Sequence, residues 1–231
     1  MNSNSIMKLL LFDIDGTILI SGGSAIRAVN SAFKKIYSVE NGMDGIRADG
    51  KTDPIILGEM FKKSLRRDFL AEEPNMVFKE YVIYLREEMA NSQGFRIMPG
   101  IPELIDVLSK RKDLVLGIAT GNIQEGAWIK LERAGLNSYF KFGGFGSDSE
   151  NREQLIRVAI ERGKSLVNHN REFRNIFVIG DTPFDIIHGR AAGATTVAVA
   201  TGSYSVNDLE KYNPDHLFEN FSDFMTVLKI F

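Results

Sequence analysis

Asp13 and Asp15 end an apolar run, Leu9-Leu10-Leu11-Phe12, and Gly16 and Thr17 follow at once. Side chains two apart on an extended segment point the same way, and a glycine directly behind them allows the turn that gathers both carboxylates around one small volume. Such a volume is costly unless a cation sits in it. A hard cation such as Mg2+ takes oxygen ligands and keeps several waters, so one or two carboxylates plus a substrate phosphate form its expected ligand set. Asp13 is therefore placed to be a ligand, a nucleophile or both. The plain alternative is a strand-ending turn, for which Asp and Gly are standard residues.

Two further polar clusters interrupt apolar runs in the same way. Thr120-Gly121-Asn122 follows Leu114–Ala119, and Gly180-Asp181-Thr182-Pro183-Phe184-Asp185 follows Ile176–Ile179. If the three runs are parallel strands, their carboxyl ends share one edge, and ligands bind in the crevice there. The hydroxyl and free N–H groups around Thr120 suit an anion. Helix capping explains Thr120, Asp181 or Asp185 taken singly. It gives no reason for three carboxylates and a hydroxyl to meet at one edge.

The elements needed for this are legible. From Met98-Pro99-Gly100 onward, helical patterns (101–111, 126–134, 153–167, 183–192) alternate with short apolar strands (114–119, 142–145, 176–179, 196–200). Such alternation builds a parallel sheet covered by helices on both faces. The run before Asp13 is too short and too apolar for an amphipathic helix and reads as a strand of that sheet, buried on both faces. Between them lies a helical block without a convincing strand. Ser24 is a plausible cap for a helix carrying Ile26, Val29, Phe33 and Ile36 inward, and Thr52 caps a second with Ile55, Leu57, Met60 and Phe61 inward. Glu72 or Pro74 opens a third. The expected architecture is α/β, a doubly wound, Rossmann-like core (1–19 and 91–231) with an inserted all-α cap (20–90). A connection of that length is usually functional, often a lid.

Taken together, Asp13-Ile14-Asp15-Gly16-Thr17, Thr120 at the end of its strand, and Gly180-Asp181-Thr182-Pro183-Phe184-Asp185 resemble the haloacid dehalogenase superfamily, in particular its phosphoglycolate phosphatase-like branch with a helical cap after the first strand. The resemblance implies a phosphohydrolase in which Asp13 takes the phosphoryl group and Asp15 acts as general acid, then base. It places Mg2+ on Asp13, Asp15 (through its backbone carbonyl) and Asp181, with Asp185 beside them, and puts the phosphate on Thr120, Gly121 and Asn122. The family also expects a Lys before the Asp181 strand, where this chain reads Ser147-Asp148-Ser149-Glu150-Asn151-Arg152-Glu153. A cation in a first helical turn opposes the helix dipole, so Arg152 is assigned that basic role, with Lys141 and Lys164 as substitutes. In relatives the cap's first inter-helix loop faces the substrate, which makes Lys51 and Asp53 candidates for leaving-group recognition.

Composition bounds the rest. With 231 residues, 44% hydrophobic and 25% charged, a sizeable core is available, and a net charge of −2 gives no basic footprint for nucleic acid. The absence of cysteine removes disulfides, thiolate zinc sites and Cys nucleophiles together. No apolar span reaches the ~18 residues of a membrane helix, and the polar start, with its apolar run broken by Asp13, does not read as a signal peptide. The expectation is a soluble, cytoplasmic protein acting on a small phosphorylated molecule. His169, His188 and His216 have no metal-ligand spacing, Trp128 reads as packing, and Arg66-Arg67 and Lys110-Arg111-Lys112 read as solvated helix ends. Competing readings are a phosphomutase, a phosphonate hydrolase with Lys51 as its Schiff-base lysine, and a phosphate-binding regulator without turnover.

Overall fold

A computed structural model describes residues 7–167 and 173–231; the polar start and His169 lie outside the described residues. In chain order the elements are β1 (Met7–Phe12), β2 (Leu19–Ser21), α1 (Ser24–Tyr37), α2 (Asp53–Leu65), α3 (Glu73–Asn91), β3 (Phe95–Ile97), α4 (Ile101–Ser109) and β4 (Leu114–Ala119). They continue as α5 (Gln124–Arg133), β5 (Gly143–Gly144), α6 (Arg152–Ser165), β6 (Phe173–Gly180), α7 (Pro183–Ala191), β7 (Thr195–Val199), α8 (Val206–Glu210), β8 (His216–Phe218) and α9 (Phe224–Val227).

Strand β1 is central to a parallel sheet of order β5-β4-β1-β6-β7-β8. Its alternating side chains feed two cores: Leu10 and Phe12 pack with Ile101, Leu104 and Ile105 of α4, while Leu9 and Leu11 pack with Leu155, Ile156 and Ala159 of α6. Helices thus cover both faces, which is why β1 is apolar from Leu9 to Phe12. The sheet ends on β8, a short strand with no apolar run to announce it.

Helices α1–α3 have an apolar cluster of their own, centred on Phe33, Leu57, Met60, Phe61 and Leu85, all fully buried. Each such side chain contributes about 1.5–3 kcal/mol. The cluster continues onto Ile123 and Ile129, so the helical block rests on α5. Several local expectations are corrected here. The N-cap of α1 is Gly23, and Ser24 is its first residue, donating to the Glu88 carbonyl instead. The buried face of α1 is Ala28, Ala32 and Phe33, while Ile26 is 47% exposed. On α2 it is Ile56, not Ile55, that is buried. The strand expected over 142–145 shrinks to Gly143–Gly144, with Phe142 and Phe145 buried at its flanks. Where the chain leaves and re-enters the core, β2 and β3 pair antiparallel, placing Ile20 opposite Arg96. These three-residue strands are too short for a period-two pattern to show in the sequence.

Candidate active site

Strands β4, β1 and β6 are neighbours, so Thr120, Asp13 and Asp181, which follow them, meet at one sheet edge. The Asp13 N–H donates to the Ile179 carbonyl at 2.9 Å, fixing the residue just beyond the strand. Gly16 then turns with φ +87°, and a Cβ there would lie 2.3 Å from an Asp181 carboxylate oxygen, so only glycine lets the turn close on that aspartate. Thr17 donates its hydroxyl to Asp181 Oδ1 at 3.1 Å.

Carboxylate oxygens of Asp13, Asp181 and Asp185 come within 4.8 Å of one another, and all three residues are buried. The cation beside them is Arg152, first residue of α6. Its Nη2 stands 3.2 Å from Asp13 Oδ1 and 2.5 Å from Asp185 Oδ1. Lys164 pairs instead with Glu161 on the surface, and Lys141 is exposed; neither lines the site. The Arg152 Nε is buried with no acceptor among the described residues, and an orphaned buried donor costs about 1–3 kcal/mol. Burial pushes the Asp13 carboxyl up to about 7, Arg152 opposing the shift and the Asp185 and Asp15 charges adding to it. Asp181 is driven well up by burial and by Asp13 and Asp185. Burial alone would lower the Arg152 pKa, but Asp185 and Asp13 more than offset it and hold the guanidinium firmly charged.

Asp15 takes another direction. Its side-chain Oδ2 accepts from Lys130 Nζ at 2.6 Å and from Asn122 Nδ2 at 2.7 Å, away from the aspartate trio. Lys130 also donates to Asn122 Oδ1 at 2.6 Å, and Asn122 reaches Thr120 Oγ1 at 2.8 Å. Sequence reasoning missed Lys130, which sits mid-helix in α5 and is only 2% exposed on its side chain. One signal was available, a lysine flanked by Ile129 and Leu131 on a helix facing the core. Asp185 is also more constrained than a free ligand: Oδ2 accepts from the Thr182 N–H and hydroxyl at 3.0 and 2.7 Å, closing a capping box at the start of α7.

The loop before α2 sits directly on these core loops. The Asp53 N–H donates to the Gly121 carbonyl at 2.8 Å, and Asp53 Oδ2 accepts from the Ile123 N–H at 2.8 Å. Burial raises the Asp53 carboxyl to about 6, while Lys130 and the Ile123 N–H hold it down. A Cβ on Gly121 would lie 2.2 Å from the Lys51 carbonyl oxygen, so the two loops approach as closely as glycine permits. Asp49 accepts from Ser203 Oγ at 2.7 Å, and Lys51 Nζ pairs with Glu59 at 2.6 Å. A partly open cavity of about 410 Å³ results, lined by Asp13, Asp15, Thr120 and Arg152 from the core and by Lys51 and Asp53 from the helical block.

Fold and site together define an α/β enzyme with an acidic, capped centre at the carboxyl edge of a parallel sheet. The profile of the haloacid dehalogenase-like hydrolases matches residues 10–199, and the chain belongs to that family. It is 25% identical to the phosphoglycolate phosphatase of Haemophilus influenzae over 97% of this chain and 100% of that one. It is also 25% identical to the pyrophosphatase PpaX of Listeria welshimeri, over 95% of each. Among solved structures, a hydrolase from Pseudomonas syringae superposes with a TM-score of 0.69 at 19% identity, over 97% of this chain and 99% of that one, a likeness of fold. Among the described residues no helix is long and apolar enough to cross a membrane.

Proposed function

We propose that this protein is a Mg2+-dependent phosphatase that hydrolyses a small phosphate monoester through an aspartyl-phosphate on Asp13. The observation that carries this is the buried trio Asp13, Asp181 and Asp185 held against Arg152, whose Nε lacks an acceptor. Three crowded carboxylates call for a hard cation, and an orphaned guanidinium N–H beside them calls for an anion. The donor set is all oxygen and fits Mg2+. Asp13 and Asp181 would hold the ion with the Asp15 backbone carbonyl, while Asp185, already engaged on both oxygens, anchors Arg152. When bound, the ion neutralises charge on the transferring phosphoryl group and fixes its orientation.

The chain's own residues supply the remaining steps. An Asp13 carboxylate oxygen attacks phosphorus, and the bond to the ester oxygen breaks. Lys130 and Asn122 both occupy Asp15 Oδ2, which leaves Oδ1 to carry a proton to the departing oxygen. Asp15, now ionised, takes a proton from water as that water attacks the acyl phosphate, releasing phosphate and restoring Asp13. Thr120, Gly121 and Asn122 form the phosphate-side wall, with Arg152 completing it. Lys51 and Asp53 face the leaving group. The Lys51–Glu59 pair gives no support to a Schiff-base lysine, and the curated relatives carry the names of hydrolases, while beta-phosphoglucomutases appear among the similar folds at 19% and 18% identity.

Acid quenching during turnover, followed by hydroxylamine, tests the intermediate. Hydroxamate on the peptide that contains Asp13 is the expected product. Continued phosphate release with no hydroxamate at Asp13 would mean that water attacks the ester directly.

A further inference from the structure

Beside Lys51 and Asp53, the helical block and β2 give the cavity an apolar stretch of wall. Ile20 on β2, Ile26 and Val29 on α1, Met43, Ile56 on α2 and Phe78 on α3 all line it. Ile26, a large apolar side chain 47% exposed near the start of α1, is among these lining residues. The cations in the lining are distributed unevenly. Lys51, Lys130 and Arg152 are each paired with a carboxylate. Arg96 also lines the cavity, across the β2–β3 pair from Ile20, and among the described residues it has neither an acidic partner nor a ring to stack on.

We infer that the substrate is the phosphate monoester of a hydroxy acid with an apolar spacer of several carbons, its phosphate at Asp13, its spacer along Ile26, Val29 and Phe78, and its carboxylate at Arg96. This rests on the phosphatase reading above. A cavity of about 410 Å³ falls in the range of ~300–1,000 Å³ that buries ligands well beyond two carbons. A two-carbon phosphoacid or pyrophosphate is polar throughout and leaves that apolar wall wet. A purely hydrocarbon tail would leave Arg96 unused. Each methylene moved from water onto the wall strengthens binding about fourfold, and an exposed ion pair adds up to about fivefold.

The test is a series of ω-phosphooxy-alkanoates of two to six carbons, with matched n-alkyl phosphates, pyrophosphate and p-nitrophenyl phosphate. kcat/KM is measured with Mg2+, and binding to the inactive Asp13→Asn protein is measured by calorimetry. The expected result is a rise of about threefold to fourfold per carbon in both readouts. The carboxylated esters should lead the alkyl ones about fivefold, a lead that Arg96→Met removes. Ile26→Asp, at an exposed position that keeps the melting temperature, should collapse the ratio between six-carbon and two-carbon esters. A series that is flat, or highest at two carbons or with pyrophosphate, overturns the inference while p-nitrophenyl phosphate turnover keeps the phosphatase reading intact. A rising series with no carboxylate effect overturns the placement of the anion at Arg96. No phosphate from any ester, p-nitrophenyl phosphate included, overturns the phosphatase reading and this inference with it.

Discussion

Asp13 and Asp15 are two residues apart and end in opposite electrostatic surroundings. Asp13 is buried with two more carboxylates and one guanidinium, whereas Asp15 leans on the ammonium of Lys130 and the amide of Asn122. Environments that differ this much divide roles between two like groups, on the proposed function nucleophile and proton carrier. Lys130→Met keeps the volume of a buried side chain but removes the charge and hydrogen bonds that orient Asp15. It should lower kcat about 100-fold, the lower end of what a positioned acid–base contributes, and lower the melting temperature as well, since removing one member of a buried pair leaves Asp15 and Asn122 without their partner. An unchanged kcat in the folded variant would show that Lys130 does not position Asp15. The pair Asp13 and Asp15 and the clusters at Thr120 and Asp181 are visible in the sequence, because each interrupts an apolar run. Lys130 and Arg96 are not: one is a lone lysine mid-helix, the other lies in a strand of three residues, and only the folded chain brings them to the cavity.

At the scale of elements, the α1–α3 block meets the core by packing on α5 and through the loop of residues 49–53, which sits on the turn after β4 and reaches Ser203. Gly121→Ala places a methyl group against the Lys51 carbonyl and should keep that loop from seating. The expected outcome is kcat/KM at least tenfold lower, the loss scale of a catalytic constellation displaced by about 1 Å, with the circular dichroism and melting of the sheet retained. Asp53 adds a pH dependence. Its carboxyl is raised to about 6 on burial, from about 4 in an open chain. Its contribution to stability is therefore fully present below about pH 4 and lost as pH rises through about 6. Asp53→Asn keeps an acceptor for the Ile123 N–H without the charge, so its melting temperature should gain on wild type between pH 5 and pH 7.5. A constant difference across that range would contradict the assignment. The strand–helix alternation after residue 98 was readable because the strands are buried on both faces and the helices are long. The β2–β3 pair, β8 and the inward face of α1 were not, because short strands carry no period and Ile26 answers to the cavity rather than to the core.

For the whole molecule, a doubly wound sheet brings three strand ends to one edge, and a helical block inserted after the first strand closes over them. That arrangement brings residues distant in sequence to one cavity: Asp13 from one end, Arg152 and Asp181 from the other, Asp53 from the insertion. The most direct measurement is inorganic phosphate release from p-nitrophenyl phosphate by wild type and Asp13→Asn, each with Mg2+ and with EDTA, both proteins verified as folded by their melting curves. The account predicts release by wild type with Mg2+, none with EDTA, and a loss of at least about a thousandfold in the variant, the scale seen when a catalytic nucleophile is removed. Release that persists in Asp13→Asn, or that is indifferent to EDTA, would contradict it.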